Sequence, residues 1–207
     1  VAIDADGNYL ISDMHNHCVQ LCAPKNSTCT TVAGRSGKGD GRDQFNEPGG
    51  VAIDASGNYV IADTFNHRVQ LCVRGESECT TVAGGHGTGS SGDQLVAPSD
   101  VAIDADGNYL ISDMHNHCVQ LCAPKNSTCT TVAGRSGKGD GRDQFNEPGG
   151  VAIDASGNYV IADTFNHRVQ LCVRGESECT TVAGGHGTGS SGDQLVAPSD
   201  VAIDADG

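Results

Sequence analysis

Short apolar runs alternate with polar, glycine-bearing turns along the whole chain. The chain opens with VAID, passes through the turn ADGN to YLISD, and after a second polar turn continues as CVQLC and CTTVA. Runs of this length bounded by Gly, Asn and Asp are typical of β-strands joined by hairpins. The second run is apolar at successive positions, which indicates a strand buried on both faces. The pattern therefore predicts four short strands, all within the first fifty residues.

The same pattern returns at two nested periods. Residues 1–100 recur without a substitution as 101–200, and inside each hundred two versions of a fifty-residue unit alternate. Four strands in a unit of this length are the signature of a β-propeller blade. A parallel β-helix usually has a shorter repeat, and an immunoglobulin-like sandwich does not repeat internally at this period. We therefore predict an all-β fold of four-stranded antiparallel blades, which either close into a ring or continue as an open superhelical array.

The repeat also predicts the boundaries of the units. Unit A and unit B follow each other twice, and a fragment of a further unit ends the sequence. The expected organisation is blade A at 1–50, blade B at 51–100, blade A again at 101–150, blade B again at 151–200, and the first strand of a further unit at 201–207.

Composition narrows the possible partners and the make-up of the core. Asp and Glu number 26 against 12 Lys and Arg, which gives a net charge of −14. Nucleic acids and anionic membranes bind basic surfaces, so the charge argues against both as partners. Tryptophan is absent and aromatic residues make up only 4%, so the core must consist mainly of Val, Ile, Leu and Ala. No apolar run is long enough to cross a bilayer.

Eight of the ten cysteines fall in C-x6-C pairs, one pair in each unit. Each pair lies at the facing ends of two predicted strands, where a disulfide closes a small loop and contributes roughly 2.5 kcal/mol on the chain-entropy model. A zinc site is the less favoured alternative because it needs further ligands from elsewhere. The predicted disulfide cysteines are Cys22 with Cys29, Cys72 with Cys79, Cys122 with Cys129, and Cys172 with Cys179.

Two cysteines remain outside this scheme, Cys18 and Cys118. An odd cysteine in a secreted protein suggests an intermolecular bridge or a free thiol. The alternatives are a bridge to another blade or subunit and a small apolar side chain packed in the core. Both stay open on the sequence alone.

The motifs of unit B resemble a known family. Residues 48–69 read PGGVAIDASGNYVIADTFNHRV, and TTVAGGHG with SGDQL follows at 80–95. This wording resembles the NHL repeat, and the match covers all four units. The resemblance implies a β-propeller of four-stranded blades, usually around six to a ring, that serves mostly for binding or scaffolding and occasionally as an enzyme. The chain departs from the family in holding four units, in adding C-x6-C pairs, and in carrying cysteine at positions 18 and 118 in place of the motif arginine.

The stretch SDMHNHCVQLC looks like a metal site, with two histidines and two cysteines close together. Asn16 and His17 coincide with the family signature, where the resemblance implies a structural turn and a contact between blades. His15 corresponds to Phe65 in unit B, which favours packing over ligation. We predict no metal site.

Calcium is the one cofactor with any signal in the sequence. Residues 4–8 read DADGN, like the start of a calcium loop, but lack the later bidentate glutamate. A hairpin turn explains both this sequence and the unit B version, DASGN. The glycine-rich stretch at 37–43 could cradle an ion, although its mixed charges favour a solvated loop. We expect no cofactor, with calcium as the minor alternative.

Two signals favour an oxidising compartment. One is the set of cysteine pairs, and the other is the glycosylation sequon at Asn26, which recurs at Asn126. The chain opens on Val1 without a leader, so we expect a mature product or an excised segment of a secreted, extracellular protein.

Exact repetition disfavours catalysis, because every candidate nucleophile or base occurs twice in identical surroundings. Identical units do present identical surfaces that can stack head to tail. The leading hypothesis is an extracellular structural protein that self-associates into a disulfide-stapled, N-glycosylated fibre or multimer. The alternative is a discrete propeller that binds a protein or carbohydrate, including a symmetric designed ring. A propeller lyase or hydrolase is the weaker alternative.

Overall fold

A computed structural model of the chain describes residues 1–25, 28–124 and 128–204. Four antiparallel sheets follow one another along the chain, and in each sheet the four strands pair in chain order. The predicted all-β fold of four-stranded blades is confirmed. We number the sheets, each with the linker that follows it, as blades 1 to 4.

Each blade has the same succession of strands. Blade 1 contains β1 (Ala2–Ile3), β2 (Tyr9–Asp13), β3 (Cys18–Cys22) and β4 (Cys29–Ala33), and blade 2 contains β5 (Val51–Ile53), β6 (Tyr59–Asp63), β7 (Arg68–Cys72) and β8 (Cys79–Gly84). Blade 3 contains β9 (Pro98–Ile103), β10 (Tyr109–Asp113), β11 (Cys118–Cys122) and β12 (Cys129–Ala133), and blade 4 contains β13 (Val151–Ile153), β14 (Tyr159–Asp163), β15 (Arg168–Cys172) and β16 (Cys179–Gly184). One turn of 3-10 helix follows the second strand of each blade, at Met14–Asn16, Thr64–Asn66, Met114–Asn116 and Thr164–Asn166.

The second strand is the most deeply buried part of an interior blade. All five residues of β6 and of β10 are buried. Each of these strands pairs on both edges within its own sheet and is covered on both faces by the neighbouring blades. The continuous apolar run read from the sequence therefore corresponds to burial on both faces.

The core lies between the blades rather than inside any one of them. Three apolar clusters each join two successive blades. In the middle cluster, Val60 and Val69 of blade 2 pack against Tyr109 and Ile111 of blade 3. Removing this apolar surface from water is the main force that holds successive blades together.

The first strands converge on a common axis. Ala2, Val51, Val101 and Val151 line one cavity, and Ile203 contributes to its wall. The molecule thus has the radial arrangement of propeller blades. Across the residues described, no helix has the length and apolar character needed to cross a membrane.

Residues 201–204 do not form the strand predicted for a further unit. In each of the four blades that strand pairs with a second strand that begins at a tyrosine, as Ile3 pairs with Tyr9. Residues 201–207 contain no such second strand, so residues 201–204 have no neighbouring strand of their own unit with which to form backbone hydrogen bonds. The remaining residues of the fragment, 205–207, lie outside the described part of the chain.

Candidate functional site

The turn after the second strand ends on a histidine in the left-handed conformation. His67 has φ 55° and caps the 3-10 turn, with its backbone N–H donating to the carbonyl of Thr64. His17, His117 and His167 adopt the same conformation. Histidine is among the few non-glycine residues that enter this region readily. The turn that the family resemblance implied at Asn16 and His17 is present in all four blades.

The Asn and His of this turn join three consecutive segments. The side chain of Asn66 donates to the carbonyl of Gly39 (2.7 Å), in the linker that precedes blade 2. Nδ1 of His67 accepts a bond from the backbone N–H of Ala97 (3.0 Å), in the linker that follows blade 2. Asn66 therefore binds the linker that precedes its blade, and His67 binds the linker that follows it. The turn is a joint between blades.

Arg68 completes this joint in unit B. Its Nε donates to Oδ2 of Asp63 (2.7 Å). Its remaining nitrogens donate to linker carbonyls of the preceding blade: those of Asp40 (2.8 Å), Gly41 (2.9 Å) and Gln44 (3.1 Å). The glycine-rich stretch that looked able to cradle an ion therefore holds the guanidinium group of the next blade. Arg168 makes the same contacts in blade 4.

Unit A has the same joint without the guanidinium group. Asp113 accepts bonds from the backbone N–H of Val96 (2.8 Å) and the side chain of Asn116 (2.7 Å). Cys118 stands where unit B has arginine. Burial raises the pKa of the Asp113 carboxyl to about 6. Burial, reinforced by the charge of Asp113, raises the pKa of the Cys118 thiol to about 12.

Cys18 and Cys118 are unpaired and buried in the structure. A thiol with a raised pKa is protonated at neutral pH, and the thiolate is the reactive form. Cys118 is also 6% exposed and bonded to no other cysteine, which favours a packed apolar side chain. A bridge from Cys18 to another subunit stays a prediction.

The other eight cysteines form four disulfides. Each bond links the first residue of the fourth strand to the last residue of the third, across a directly paired position. The bonded pairs are Cys22 with Cys29, Cys72 with Cys79, Cys122 with Cys129, and Cys172 with Cys179. Asn26 and Asn126, the predicted glycosylation sites, lie outside the described residues.

Two other features of the sequence are His15 and the calcium-like stretch at residues 4–8. His15 is exposed, and so is Phe65 at the corresponding position of unit B, so the prediction that His15 is a packed side chain is wrong. The calcium-like stretch is a turn held by its own hydrogen bonds, in which Oδ1 of Asp4 accepts the backbone N–H of Asp6 and of Asn8. The Asn8 side chain bonds to the same carboxylate and lowers the pKa of Asp4. Among the residues described, no three His, Cys, Asp or Glu side chains converge as metal ligands would.

A cavity of about 280 Å³ is lined by residues from all four units, among them Ser12, Gly50, Asp100 and Gly150. Oδ2 of Asp100 accepts the backbone N–H of Val151 (2.9 Å). Burial raises the pKa of the Asp100 carboxyl to about 6. The contact of this carboxylate with the Val151 backbone links blade 3 to blade 4, which gives Asp100 a structural role.

The outer surfaces of blades 1 and 4 differ from those of the interior blades, although the sequences are identical. Tyr9 is 40% exposed and Val1 is 76% exposed, whereas their equivalents Tyr109 and Val101 are 4% and 3% exposed. We call this surface of blade 1 the leading face, formed by Val1, Ile3, Tyr9, Ile11 and Cys29. Position in the array alone causes the difference, because blade 2 covers this surface in blade 3.

The opposite surface of blade 4 is also less covered than in the interior blades, and residues 202–204 line a cavity there with Val160 and Val182. Ala183 is exposed, whereas Ala83 is fully buried in blade 2, and Val182 is 54% exposed. We call this surface the trailing face, formed by Val160, Val169, Val182, Ala183 and Leu195. Adjacent apolar residues exposed together commonly mark an interaction surface.

The NHL repeat model matches three tandem segments, at residues 45–70, 95–120 and 145–170. The chain therefore contains tandem NHL repeats. Each matched segment begins in a linker and ends in the third strand of the next blade. The NHL signature therefore spans the joint between blades.

Solved structures share the NHL-type fold at low identity. A nidogen/laminin complex superposes with a TM-score of 0.74 and 16% identity over 99% of this chain and 67% of that one. A Bacteroides thetaiotaomicron protein of unknown function gives 0.71 and 20% over 96% and 52%. Virginiamycin B lyase from Staphylococcus aureus gives 0.60 and 11% over 86% and 53%. At these identities the likeness concerns the fold alone, and the chain spans about half the length of the last two structures. No curated protein matches the sequence significantly.

Proposed function

We propose that this NHL-repeat chain is an extracellular structural protein whose blades associate end to end into a multimer or fibre. The observation that carries the proposal is the exact recurrence of residues 1–100 as 101–200, which gives successive units identical surfaces that can stack. Tyr109, which is 4% exposed beside the preceding blade, shows the apolar burial that each such contact provides.

The trailing face supports the same proposal. Val182 and Ala183 are exposed on it, and the corresponding surface of blade 2 buries Val60 and Ala83 completely. One chain therefore carries both halves of a contact that it already makes internally. Surfaces of this kind associate head to tail and generate either rings or filaments.

The extracellular assignment rests on the disulfides. One bond staples the outer hairpin of every blade, and such bonds persist in oxidising compartments. The proposal includes N-linked glycans at Asn26 and Asn126, once in each hundred residues. Mass spectrometry of peptides before and after enzymatic removal of N-glycans tests this part, and unmodified asparagine at both sites contradicts it.

A catalytic role is not part of the proposal. The likeness to virginiamycin B lyase extends over the fold at 11% identity. The Asp and Arg buried at the unit B joint are bonded to each other and to backbone carbonyls. Asp113, one of the groups whose pKa is raised, accepts the backbone N–H of Val96 in the linker of blade 2, where it serves the joint.

The second candidate is a discrete binding module. Its support is the likeness to a chain in the nidogen/laminin complex, at TM-score 0.74. In that case the exposed faces bind a different protein, and the purified chain stays single at all concentrations.

Sedimentation velocity over a hundredfold concentration range, followed by cryo-electron microscopy, separates the two functions. End-to-end association predicts a mass that rises with concentration, and particles that extend by whole chains. A mass that remains that of one chain at every concentration contradicts the proposal and favours the binding module.

A further inference from the structure

An open cavity of about 470 Å³ lies in blade 4, between the 3-10 turn and the start of the linker that follows the blade. Phe165 and His167 of the turn line it, together with His186 of that linker and Asp140 of the preceding one. Arg168, at the start of the third strand, also lines it. The volume is within the range of small-molecule sites, about 300–1,000 Å³.

We propose that this cavity, and the equivalent position at Phe65 in blade 2, each bind one sugar ring of a carbohydrate. The ring stacks on the phenylalanine, and its hydroxyl groups bond to the Asp, His and Arg side chains beside it. The inference goes beyond the proposed function and does not depend on it, because neither the cavity nor its polar groups require a second copy of the chain.

The aromatic wall of the cavity is held in a fixed position. Phe165 is 52% exposed, whereas Phe45 and Phe145 of unit A are fully buried. The backbone N–H of Phe165 donates to the carbonyl of Asn146 (3.1 Å) in the preceding linker. A ring on an anchored backbone loses little conformational freedom when a ligand binds. It therefore offers a preformed apolar face to the C–H groups of a sugar ring.

Hydrogen-bond donors of the cavity remain unused. Nδ1 of His167 accepts the backbone N–H of Ala197 (3.0 Å), so the proton of the neutral imidazole is on Nε2. Nε2 has no partner within the described part of the chain. Arg168 donates once to Asp163 and three times to linker carbonyls. A guanidinium group has five N–H groups, so one donor of Arg168 is left for a ligand.

Hydrogen-bond acceptors complete the polar lining. The backbone carbonyl of Asp140 accepts Nη1 of Arg168 (2.8 Å), and the Asp140 side chain is exposed beside it. The side-chain amide of Asn166 donates to Gly139 and Asp163, which leaves its oxygen as an acceptor. A hydroxyl group both donates and accepts hydrogen bonds. A lining that contains both kinds of group therefore suits the hydroxyls of a sugar.

The charges of the cavity favour an uncharged ligand. The carboxylate of Asp140 and the net charge of −14 repel an anion such as a phosphate group. The guanidinium group of Arg168 repels a cation such as a lysine side chain. A neutral sugar ring, with polar hydroxyls at its edge and apolar C–H groups on its face, meets neither repulsion.

The site does not depend on blade 4 being the last blade. In blade 2, which blade 3 follows, Phe65 is 46% exposed, and Asp40 and His86 are exposed as well. Arg68 makes the same four bonds there as Arg168. One chain thus carries two equivalent sites, which strengthens binding to a carbohydrate that repeats the same sugar.

Surface plasmon resonance with immobilised oligosaccharides tests the proposal. The probes are oligomers of mannose, glucose and N-acetylglucosamine, with an oligomer of galacturonate as the charged comparison. We expect wild type to bind at least one neutral oligomer and not the galacturonate. Failure to bind any neutral oligomer overturns the proposal, and so does binding of galacturonate alone.

A double variant, Phe65→Ala with Phe165→Ala, tests the position of the site. Loss of the stacking surface should weaken binding by about tenfold or more. The matched control is His15→Ala with His115→Ala, because these exposed residues occupy the equivalent positions of unit A, where cysteine replaces the arginine. We expect the control to bind as wild type does.

Circular dichroism checks that both double variants remain folded. If the phenylalanine variant binds as tightly as wild type, or if the histidine variant loses binding equally, the assignment of the site is wrong. Sedimentation velocity on the same proteins reports on the proposed function separately. A chain that binds sugar and stays single contradicts end-to-end association alone, and a chain that associates without binding sugar contradicts this inference alone.

Discussion

Asp63 and Arg68 form a buried ion pair, with 2.7 Å between Oδ2 and Nε and side chains that are 0% and 10% exposed. Burying two charges is costly unless the geometry is good and the remaining donors are satisfied. Here the other nitrogens of Arg68 donate to three linker carbonyls. The pair therefore fastens blade 2 to the linker of blade 1.

Replacing Arg68 with alanine is expected to lower the free energy of unfolding by roughly 3–5 kcal/mol, because it leaves the Asp63 carboxylate buried without a cation. Denaturant unfolding followed by circular dichroism measures the loss. Arg74→Ala is the control, since Arg74 is 48% exposed on its side chain, and we expect a change within about 0.5 kcal/mol. Equal losses for the two variants would show that the ion pair adds nothing.

Asp113 predicts a pH dependence of stability. Its folded pKa is raised to about 6 by burial, above the value of about 3.9 for an unfolded aspartate. Between these values the folded chain binds more protons than the unfolded chain, so the contribution of this group falls as pH rises from 4 to 6. It is fully present below about pH 4.

We expect Asp113→Asn to reduce this fall, because asparagine does not ionise. Unfolding free energies measured at half-unit intervals from pH 4 to pH 7 give the slope for each chain. Asp106→Asn is the control, at a side chain that is 71% exposed. A slope that is the same in wild type and Asp113→Asn contradicts the prediction.

His67 predicts a pH dependence of stability with the opposite sign. Burial lowers its pKa, and Nδ1 can accept the bond from Ala97 only while unprotonated. The unfolded chain therefore takes up a proton below about pH 6.5 that the folded chain resists. The contribution of His67 is present above that pH and is lost as pH falls.

His67→Asn keeps a residue that adopts the left-handed conformation and removes the titration. We expect the stability advantage of wild type over this variant to shrink as pH is lowered from 7.5 to 5. His86→Asn, at an exposed linker position, serves as the control. An advantage that is constant with pH would show that protonation of His67 does not reach the joint.

The sequence predicts the strands because hairpin geometry is determined by local residues. The second strand begins at Tyr9 and the third at Cys18, as the alternation of apolar runs and turns predicts. The first strand is shorter than predicted, at Ala2–Ile3. The contact between Arg68 and the carbonyls of Asp40 and Gly41 does not follow from the local pattern, since it joins positions that only the packing of blades brings together.

A signal for the joint was nevertheless present. Arginine at 68 follows the linker GKGDGRDQ, and cysteine at 118 follows the linker GTGSSGDQ. The linker sequence and the residue at the position of Arg68 therefore differ together between the two kinds of junction, as expected for two groups in contact. The difference between Tyr9 and Tyr109, by contrast, has no counterpart in the sequence. It depends on position in the array, which identical units cannot encode.

The disulfides allow one substitution to be compared in two environments. Cys22 and Cys29 are bonded in blade 1, where Cys29 is exposed, whereas Cys122 and Cys129 are buried between blades 2 and 3. Replacing either pair with alanine removes the same loop constraint, which contributes roughly 2.5 kcal/mol. The interior pair also leaves a cavity, which adds about 1–2 kcal/mol.

We therefore expect Cys122→Ala with Cys129→Ala to destabilise the chain more than Cys22→Ala with Cys29→Ala, in dilute protein without reductant. Cys29 lies on the leading face, so end-to-end association buries it as Cys129 is buried. The difference between the two double variants should then narrow as protein concentration rises. Urea unfolding at two concentrations a hundredfold apart measures both effects. Equal losses in dilute protein would mean that the loop constraint alone accounts for each bond. A difference that is unaffected by concentration would mean that nothing covers Cys29.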